Sequence, residues 1–209
     1  MERRHINNVG FVTHAFDKQW KPVASREDFE KVLASPQVRL TITQIRQSRL
    51  NKTGKQKLKQ KLPAFFFMGR TKDGEPGSRV KDNLVPTGLA MIDIDSEEGD
   101  AKALYEKWME KTNADGRWQL RLAHRTPSGH GLRLVVVIPE GLSIEDVQAR
   151  ISELLGIQLD TACKDISRLS YACLPEDVFY IDDALFTEAD SSPVAPDNSS
   201  PETQTVSPV

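Results

Sequence analysis

The sequence has few of the residues that build zinc sites or disulfide frameworks. Its two cysteines, Cys163 and Cys173, match no zinc-ligand spacing, and the four histidines are scattered and do not supply the missing ligands. No stretch approaches the roughly eighteen apolar residues that a membrane span needs, and no basic start followed by an apolar segment occurs at the N-terminus. These absences argue against a zinc module, a disulfide-rich secreted domain and a membrane protein. They predict a cytoplasmic protein.

Two common phosphate-binding motifs are also missing. The sequence contains no GKS or GKT, so it has no Walker loop, and no GxGxxG follows a predicted strand. A P-loop enzyme and a dinucleotide-binding fold are therefore not indicated.

The net charge of −2 hides an uneven distribution. Residues 176–209 carry eight acids and no Lys or Arg, which leaves 28 basic and 22 acidic side chains on residues 1–175. Part of this excess is a basic run with no acid inside it, formed by Arg46, Arg49, Lys52, Lys55, Lys57, Lys59 and Lys61. Such a run is typical either of a solvated, mobile loop or of a surface that attracts phosphate chains.

Apolar periodicity predicts alternating helices and strands over residues 1–186. Ser25 with Asp28, and Ser143 with Asp146, resemble helix N-caps with an acid at N3, which predicts helices over about 26–35 and from 144 to Leu155. Further helices are expected in "TITQIRQSRL" and "GDAKALYEKWMEK", and strands in "LPAFFFMG", "GLAMIDID", "WQLRLAHRT", "GLRLVVVIP" and "VFYI".

The short connection "PSGHG" joins two of these strands and leaves room only for a hairpin, so the two strands should be antiparallel neighbours. We therefore predict an α+β fold with a mixed, partly antiparallel sheet and packed helices. Residues 187–209 are rich in Ser, Pro, Thr and acids without apolar periodicity, which predicts a disordered tail or linker.

Asp93 and Asp95 stand at the end of the apolar run "GLAMIDID". Alternate residues of a strand share a face, so the two carboxylates should point the same way, about 6.6 Å apart along the chain, with Ile92 and Ile94 on the opposite, buried face. Mg²⁺ or Mn²⁺ would relieve their repulsion. The alternative is that the acids simply end the strand at the surface.

Two further segments carry groups that suit phosphate. In "RTPSGHGLRLVVV", Gly129 and Gly131 allow close approach of the backbone to an anion, Ser128 offers a hydroxyl, and Arg133 adds a cation, although such a turn is often just a hairpin. In "LDTACKDISRL", the candidate acids are Asp160 and Asp165, and the candidate phosphate partners are Lys164 and Arg168.

Read in order, "MIDID", "PSGHGLR" and "LD…SRL" resemble the three motifs of the archaeo-eukaryotic primase superfamily, in its primase-polymerase branch. More narrowly, "LKQKLPAFFFMG", "TGLAMIDID" and "RTPSGHGLRLVVVIP" are similar to the VirE-type N-terminal domain of bacterial mobile-element replication proteins. The resemblance spans about residues 40–175. It implies an RRM-like unit plus an α/β unit with the active site between them, and divalent-metal-dependent nucleotidyl transfer on a DNA template.

The resemblance also implies roles for individual residues. Asp93 and Asp95 match the metal-binding pair, and Asp160 matches the third catalytic and metal-binding acid, with Asp165 as the alternative. The matches to the nucleotide-binding positions are Ser128, Gly129, His130, Gly131, Arg133 and Arg168. The lysines that would contact a single-stranded DNA template are Lys52, Lys55, Lys57, Lys59 and Lys61. The expected cofactor is Mg²⁺ or Mn²⁺, and the expected partners are single-stranded DNA, nucleoside triphosphates and a helicase, fused or separate.

One position departs from the motif, because the usual histidine of the second motif is Arg133 here. An arginine binds phosphate bidentately but does not transfer protons near neutral pH. The sequence therefore leaves three functions open, namely a primase-polymerase, a primase-like DNA-binding or regulatory module without turnover, and a metal-dependent nuclease.

Overall fold

A computed structural model describes residues 9–72, 77–95, 100–112, 118–159 and 164–187. Over these ranges it contains five α-helices: α1 Arg26–Leu33, α2 Pro36–Gln47, α3 Lys52–Lys59, α4 Ala101–Thr112 and α5 Ile144–Leu155. The strands in the same ranges are β1 Gly10–Val12, β2 Lys21–Pro22, β3 Ala64–Phe66, β4 Gly69–Thr71, β5 Leu84–Pro86, β6 Leu89–Ile94, β7 Leu120–Arg125, β8 Leu132–Val137, β9 Ser170–Tyr171 and β10 Val178–Ile181. Most of residues 187–209, the predicted tail, lies outside the described residues.

The strands form two four-stranded sheets and a two-stranded ribbon. The first sheet has the order β2-β1-β3-β9, the second sheet has the order β10-β7-β8-β6, and β4 pairs with β5. Every pairing between these strands is antiparallel. The predicted α+β class is confirmed, as is the β7–β8 hairpin.

The helix starts follow from local capping. The Ser25 hydroxyl accepts a hydrogen bond from the Asp28 backbone at the start of α1, and Ser143 with Asp146 forms a complete capping box on α5. Helix α5 ends at Gly156, which takes the left-handed conformation at φ 64°. Both predicted N-caps are therefore confirmed.

The second sheet is covered on both faces. Ala90, Ile92 and Ile94 of β6 pack with Trp108 of α4 and residues of α5 in one hydrophobic cluster. Leu89 and Met91 belong to a different cluster, together with α1, α2 and the first sheet's Phe65. Since alternate residues share a face, Asp93 points from β6 toward the first sheet.

The lysine run is not a loop, because its central part forms helix α3. The Asn51 side chain accepts a hydrogen bond from the Gly54 backbone at 2.9 Å and so caps the helix. The interpretation as a mobile loop is wrong. This helix is only two turns long and mostly charged. Its sequence therefore lacks the regular apolar spacing from which a helix is predicted.

None of the helices in the described ranges is both long enough and apolar enough to cross a membrane.

Candidate functional site

A polar cavity of about 560 Å³ lies between the two sheets and helix α3, within the size range of small-molecule sites. Most of its lining is charged or hydrogen-bonding. The lining residues are Ala15, Phe16, Lys52, Gln56, Lys59, Gln60, Arg79, Asp93, Asp95, Thr126, Pro127, Arg133, Ser167, Arg168, Leu169 and Tyr171. A separate cavity of about 430 Å³ surrounds Trp118, Leu142 and Leu154, and none of the predicted site residues within the described ranges belongs to its lining.

Three polar residues lie side by side across the second sheet, and two of them, Asp93 and Arg133, line the polar cavity. Asp93 of β6 is directly opposite Arg133 of β8, and Arg133 is directly opposite His124 of β7. Their exposed fractions are 8% for Asp93, 7% for Arg133 and 2% for His124. The strand pairing therefore places a carboxylate, a guanidinium and an imidazole in one buried row.

Asp93 is bound by two arginines. Arg133 donates through Nη2 to Asp93 Oδ2, and Arg168 Nη2 lies 3.9 Å from the same oxygen. Burial by itself would raise the pKa of Asp93, but the charge and hydrogen bond of Arg133, aided by Arg168, outweigh it and lower the pKa below its ordinary value. Asp93 is therefore an ionised carboxylate at neutral pH.

Asp95 is the first residue after β6, and it is exposed where it lines the cavity. The nearby Lys59 of α3 has a pKa lowered by burial, an effect that the negative charges of Asp95 and Asp93 oppose. The two carboxylates thus line one cavity, as predicted, and the charges of both act on the pKa of Lys59, which comes from a different element.

Five basic side chains line the cavity against the two carboxylates, which gives it a positive field that suits phosphate. Arg79 is one that the sequence analysis missed. Its guanidinium donates to the Ser167 carbonyl at 2.9 Å and to the Ala15 carbonyl at 3.2 Å, and burial lowers its pKa. It joins two loops that both contribute to the cavity lining.

Only some lysines of the basic run line the cavity. Lys52 and Lys59 line the cavity together with Gln56, at the spacing of one helix face. The other three predicted nucleic-acid-binding lysines do not belong to the lining in the described part of the chain; they are Lys55, Lys57 and Lys61.

The glycine turn uses much of its backbone internally. The Gly129 amide donates to the Thr126 carbonyl at 2.9 Å, and the Gly131 amide donates to Thr126 Oγ1 at 3.2 Å. Ser128 Oγ lies 3.1 Å from the same Thr126 hydroxyl, and His130 is exposed. The turn contributes Thr126 and Pro127 to the cavity lining, neither of which the sequence analysis had chosen.

Two contacts fix the position of this turn. A Cβ at Gly131 would lie 2.9 Å from Thr126 Oγ1 and 3.0 Å from the Ile94 carbonyl, so a larger residue there would have to displace the turn from the end of β6 beside Asp95. On the other side, Arg46 Nε donates to the Pro127 carbonyl at 3.2 Å and Arg46 Nη2 donates to Asp177 at 2.6 Å.

The third motif is only partly described. Asp160 lies outside the described residues. The alternative acid, Asp165, accepts hydrogen bonds from the Ser167 amide at 2.9 Å and the Ser167 hydroxyl at 2.8 Å, in a turn that brings Arg168 to the cavity. In the described ranges no three Asp, Glu, His or Cys side chains form a group that could hold a metal ion.

Asp93 and Asp95 fit one hydrated Mg²⁺ or Mn²⁺ rather than a closed cage. Mg²⁺ usually keeps several waters and is held by one or two carboxylates together with the phosphates of a substrate. One exposed carboxylate and one shared with arginines, on the wall of a basic cavity, suit that mode of binding.

His124 is a further polar residue that the sequence analysis did not select. Its Nδ1 lies 2.9 Å from the Arg125 carbonyl and its Nε2 lies 3.2 Å from Ser170 Oγ. Because a carbonyl only accepts, Nδ1 carries the proton and Nε2 accepts from the Ser170 hydroxyl. Burial and the charge of Arg133 lower the pKa of His124 to about 4, so the ring is neutral. A single histidine within an apolar strand does not by itself predict a buried, neutral, hydrogen-bonded ring.

Comparison with known proteins gives one match. A family model described as "BT4734-like, N-terminal domain" matches residues 57–180, more than half of the chain. No curated protein and no solved structure matches the sequence. The matched range includes both carboxylates of the cavity and four of its five basic residues, all except Lys52.

Proposed function

The chain belongs to the family of BT4734-like N-terminal domains, and we propose that its basic cavity binds the phosphate chain of a nucleotide for nucleotidyl transfer of the primase-polymerase type. The observation that carries this proposal is the meeting of Asp93 and Asp95 with five basic side chains in one cavity. The cavity also lies between two antiparallel sheets, which agrees with the location of the active site that the motif resemblance implies.

The arginines would bind the phosphates. Both guanidinium groups approach Oδ2 of Asp93. A phosphate group bound between Arg133 and Arg168 would therefore compete with Asp93 for them. Lys52 and Lys59 would add cations on the α3 side. Binding of the substrate would thus exchange an internal ion pair for contacts with the ligand and release the Asp93 carboxylate.

Asp93 and Asp95 would hold the divalent ion. Such an ion neutralises phosphate oxygens and lowers the pKa of an attacking hydroxyl. The acid that would complete a two-ion arrangement in this proposal is Asp160.

The template strand would be single-stranded DNA on the basic surface outside the cavity, with Lys55, Lys57 and Lys61 as its contacts. Such binding should weaken steeply with salt. A replication role of this kind would place the protein in the cytoplasm and pair it with a helicase, fused or separate.

A second candidate function is a nucleic-acid-binding or regulatory module without turnover. The observation that favours it is the ion pair itself, because Arg133 occupies the position of the motif's usual histidine and binds a carboxylate that catalysis needs. In this case the cavity would bind phosphate with Asp93 fixed as a structural counter-ion.

The two candidates are separated by a synthesis assay with single-stranded DNA, nucleoside or deoxynucleoside triphosphates and Mn²⁺. The wild type is compared with Asp95→Asn and with Asp82→Asn, a matched change at an exposed carboxylate outside the cavity lining. Catalysis predicts product from the wild type and Asp82→Asn and none from Asp95→Asn.

Other outcomes of this assay are equally informative. Equal product from all three proteins, or product from none, removes the catalytic proposal. Salt-sensitive DNA binding without synthesis supports the binding module, and metal-dependent strand cleavage supports a nuclease.

A further inference from the structure

The lip of the cavity carries an aromatic side chain that neither the motifs nor the phosphate chemistry uses. We propose that Phe16 is a stacking platform for the nucleobase of the nucleotide unit whose phosphates the cavity binds. This inference rests on the proposed function, since it names the base-binding half of the same site.

Phe16 is unusual among the apolar residues of the described chain. Its exposed fraction is 69%, the highest among the exposed large hydrophobic residues, and of that group it alone belongs to the cavity lining in the described ranges. Single exposed hydrophobic residues are common on protein surfaces and by themselves mean little. The position of Phe16 beside a cluster of cations is what gives its exposure a function.

The loop that carries Phe16 is held in place by the cavity's own residues. The Ala15 amide donates to the Gln60 carbonyl at 3.1 Å, and the Ala15 carbonyl accepts from Arg79 Nη2 at 3.2 Å. Asp17 closes the loop on the other side by accepting from the Thr13 hydroxyl and the Gln19 amide, each at 3.0 Å. The chain therefore fixes the backbone on both sides of Phe16 while leaving the ring largely unpacked.

The chemistry of the neighbouring groups indicates which ligand would cover the ring. Proteins that bind single-stranded nucleic acid combine a basic groove for the backbone with aromatic side chains on which bases stack. Here Lys52, Lys59 and Arg79 supply the basic wall that adjoins the Phe16 loop. A ligand made of phosphate alone would use the cations and leave the ring bare, whereas a nucleotide uses both.

The exposed His14 extends the same surface. Its ring centroid lies 6.5 Å from that of Phe16 at an interplanar angle of 50°, so the two rings form one angled aromatic edge. Such an edge presents a ring face to a planar base without fixing its identity. We therefore expect little discrimination between bases.

The test distinguishes the contribution of the base to binding from that of the phosphates. Binding of tripolyphosphate and of ATP, both with Mg²⁺, is measured by calorimetry for the wild type, Phe16→Ala, Phe16→Trp and Leu40→Ala. Leu40→Ala is the matched control, because it removes an apolar side chain that is 54% exposed and lies outside the cavity lining. A fluorescent oligo-dT and the same strand with abasic sites repeat the comparison for nucleic acid.

We expect Phe16→Ala to weaken ATP or oligo-dT binding about five- to hundredfold, the range for loss of one base stack. Binding of tripolyphosphate and of the abasic strand should not change. Phe16→Trp should keep the wild-type affinity, and Leu40→Ala should behave as the wild type. An effect on ATP identifies a free nucleotide as the ligand, and an effect confined to oligo-dT identifies a strand.

Two results would overturn the platform while leaving the proposed function intact. One is unchanged ATP and oligo-dT binding by Phe16→Ala, and the other is an equal loss of tripolyphosphate binding, which would show that the loop had moved. If the wild type binds neither tripolyphosphate nor any nucleotide or strand, the proposed function fails and the platform fails with it.

Discussion

Asp93 and Arg133 are directly opposed residues of β6 and β8, and their side chains form a buried ion pair, with 11% of the Asp93 side chain and 9% of the Arg133 side chain exposed. A buried ion pair adds little net stability over apolar residues, yet removal of one partner leaves a costly unpaired charge. Both side chains also line the basic cavity, where the proposed function gives them a role in ligand binding.

Removing Arg133 should destabilise the fold. We expect Arg133→Met to lower the free energy of unfolding by about 3 to 5 kcal/mol, because the buried Asp93 carboxylate then loses its hydrogen-bonded cation, and Arg168 lies farther away at 3.9 Å. The double variant Asp93→Asn with Arg133→Met should recover much of that loss. Urea denaturation of the two single variants and the double variant measures the coupling; strictly additive losses would contradict it.

His124 should make stability fall with acid in a defined window. The unfolded chain takes up a proton at this side chain below pH 6.5, whereas the folded protein takes it up only below about 4. Between these values the unfolded state binds more protons, so acidification favours unfolding, by up to about 3 kcal/mol at the lower end. Urea denaturation from pH 7 to pH 4 should show this slope.

The matched controls for this pH effect are two Gln substitutions. His124→Gln should flatten the slope, and His130→Gln, at an exposed histidine of the glycine turn, should keep it. A slope that survives His124→Gln unchanged would assign the acid sensitivity to other groups.

Two arginines of α2 should differ sharply in their contribution to stability. Arg46 pairs at 2.6 Å with Asp177, whose side chain is only 6% exposed, whereas Arg39 pairs with Glu176, whose side chain is 53% exposed. Arg46→Ala should cost about 3 kcal/mol because it leaves the buried Asp177 with Arg125 at 3.7 Å. Arg39→Ala should change stability far less, since its partner Glu176 is exposed and its charge stays solvated.

Arg46 also donates to the Pro127 carbonyl in the cavity lining, so its loss should weaken tripolyphosphate binding as well. Thermal unfolding and calorimetry on the two variants check both expectations. Equal destabilisation by the two substitutions would contradict the role of burial.

The lysine run should split into two functional pairs. Lys52→Ala with Lys59→Ala removes cations from the cavity wall and should weaken tripolyphosphate binding by about tenfold or more. Lys55→Ala with Lys57→Ala removes the same charge from outside the lining and should have a clearly smaller effect. Equal losses would mean that the run acts through its overall field rather than through contacts.

The sequence was sufficient to predict the parts of the site that lie on long, strongly patterned strands. The apolar runs around Asp93 and Arg133 predicted two strands, and the short turn before Arg133 predicted the β7–β8 hairpin. The pairing of β6 with β8, which brings the two side chains together, was not predicted. The position of Asp95 was also predictable, because it is the residue directly after the end of β6.

The remaining parts of the cavity come from pairings with no local signal. Strand β9 has two residues, and its Tyr171 reaches the cavity because it pairs with Ala64, far away in the chain. Arg79 and Phe16 lie in connections whose position depends on that first sheet. The glycine turn was recognisable, but the hydrogen bond from the Gly131 amide to Thr126 Oγ1 depends on a side-chain rotamer that no motif encodes.

The cavity has one wall on each sheet, with Tyr171 on the first and Asp93 and Arg133 on the second. A ligand bound there would contact both sheets, so the two sheets could not separate locally until the ligand had dissociated. Amide hydrogen exchange in β3 and β8 should then slow together on saturation, which would make occupancy of the site a property of the whole fold rather than of its lining.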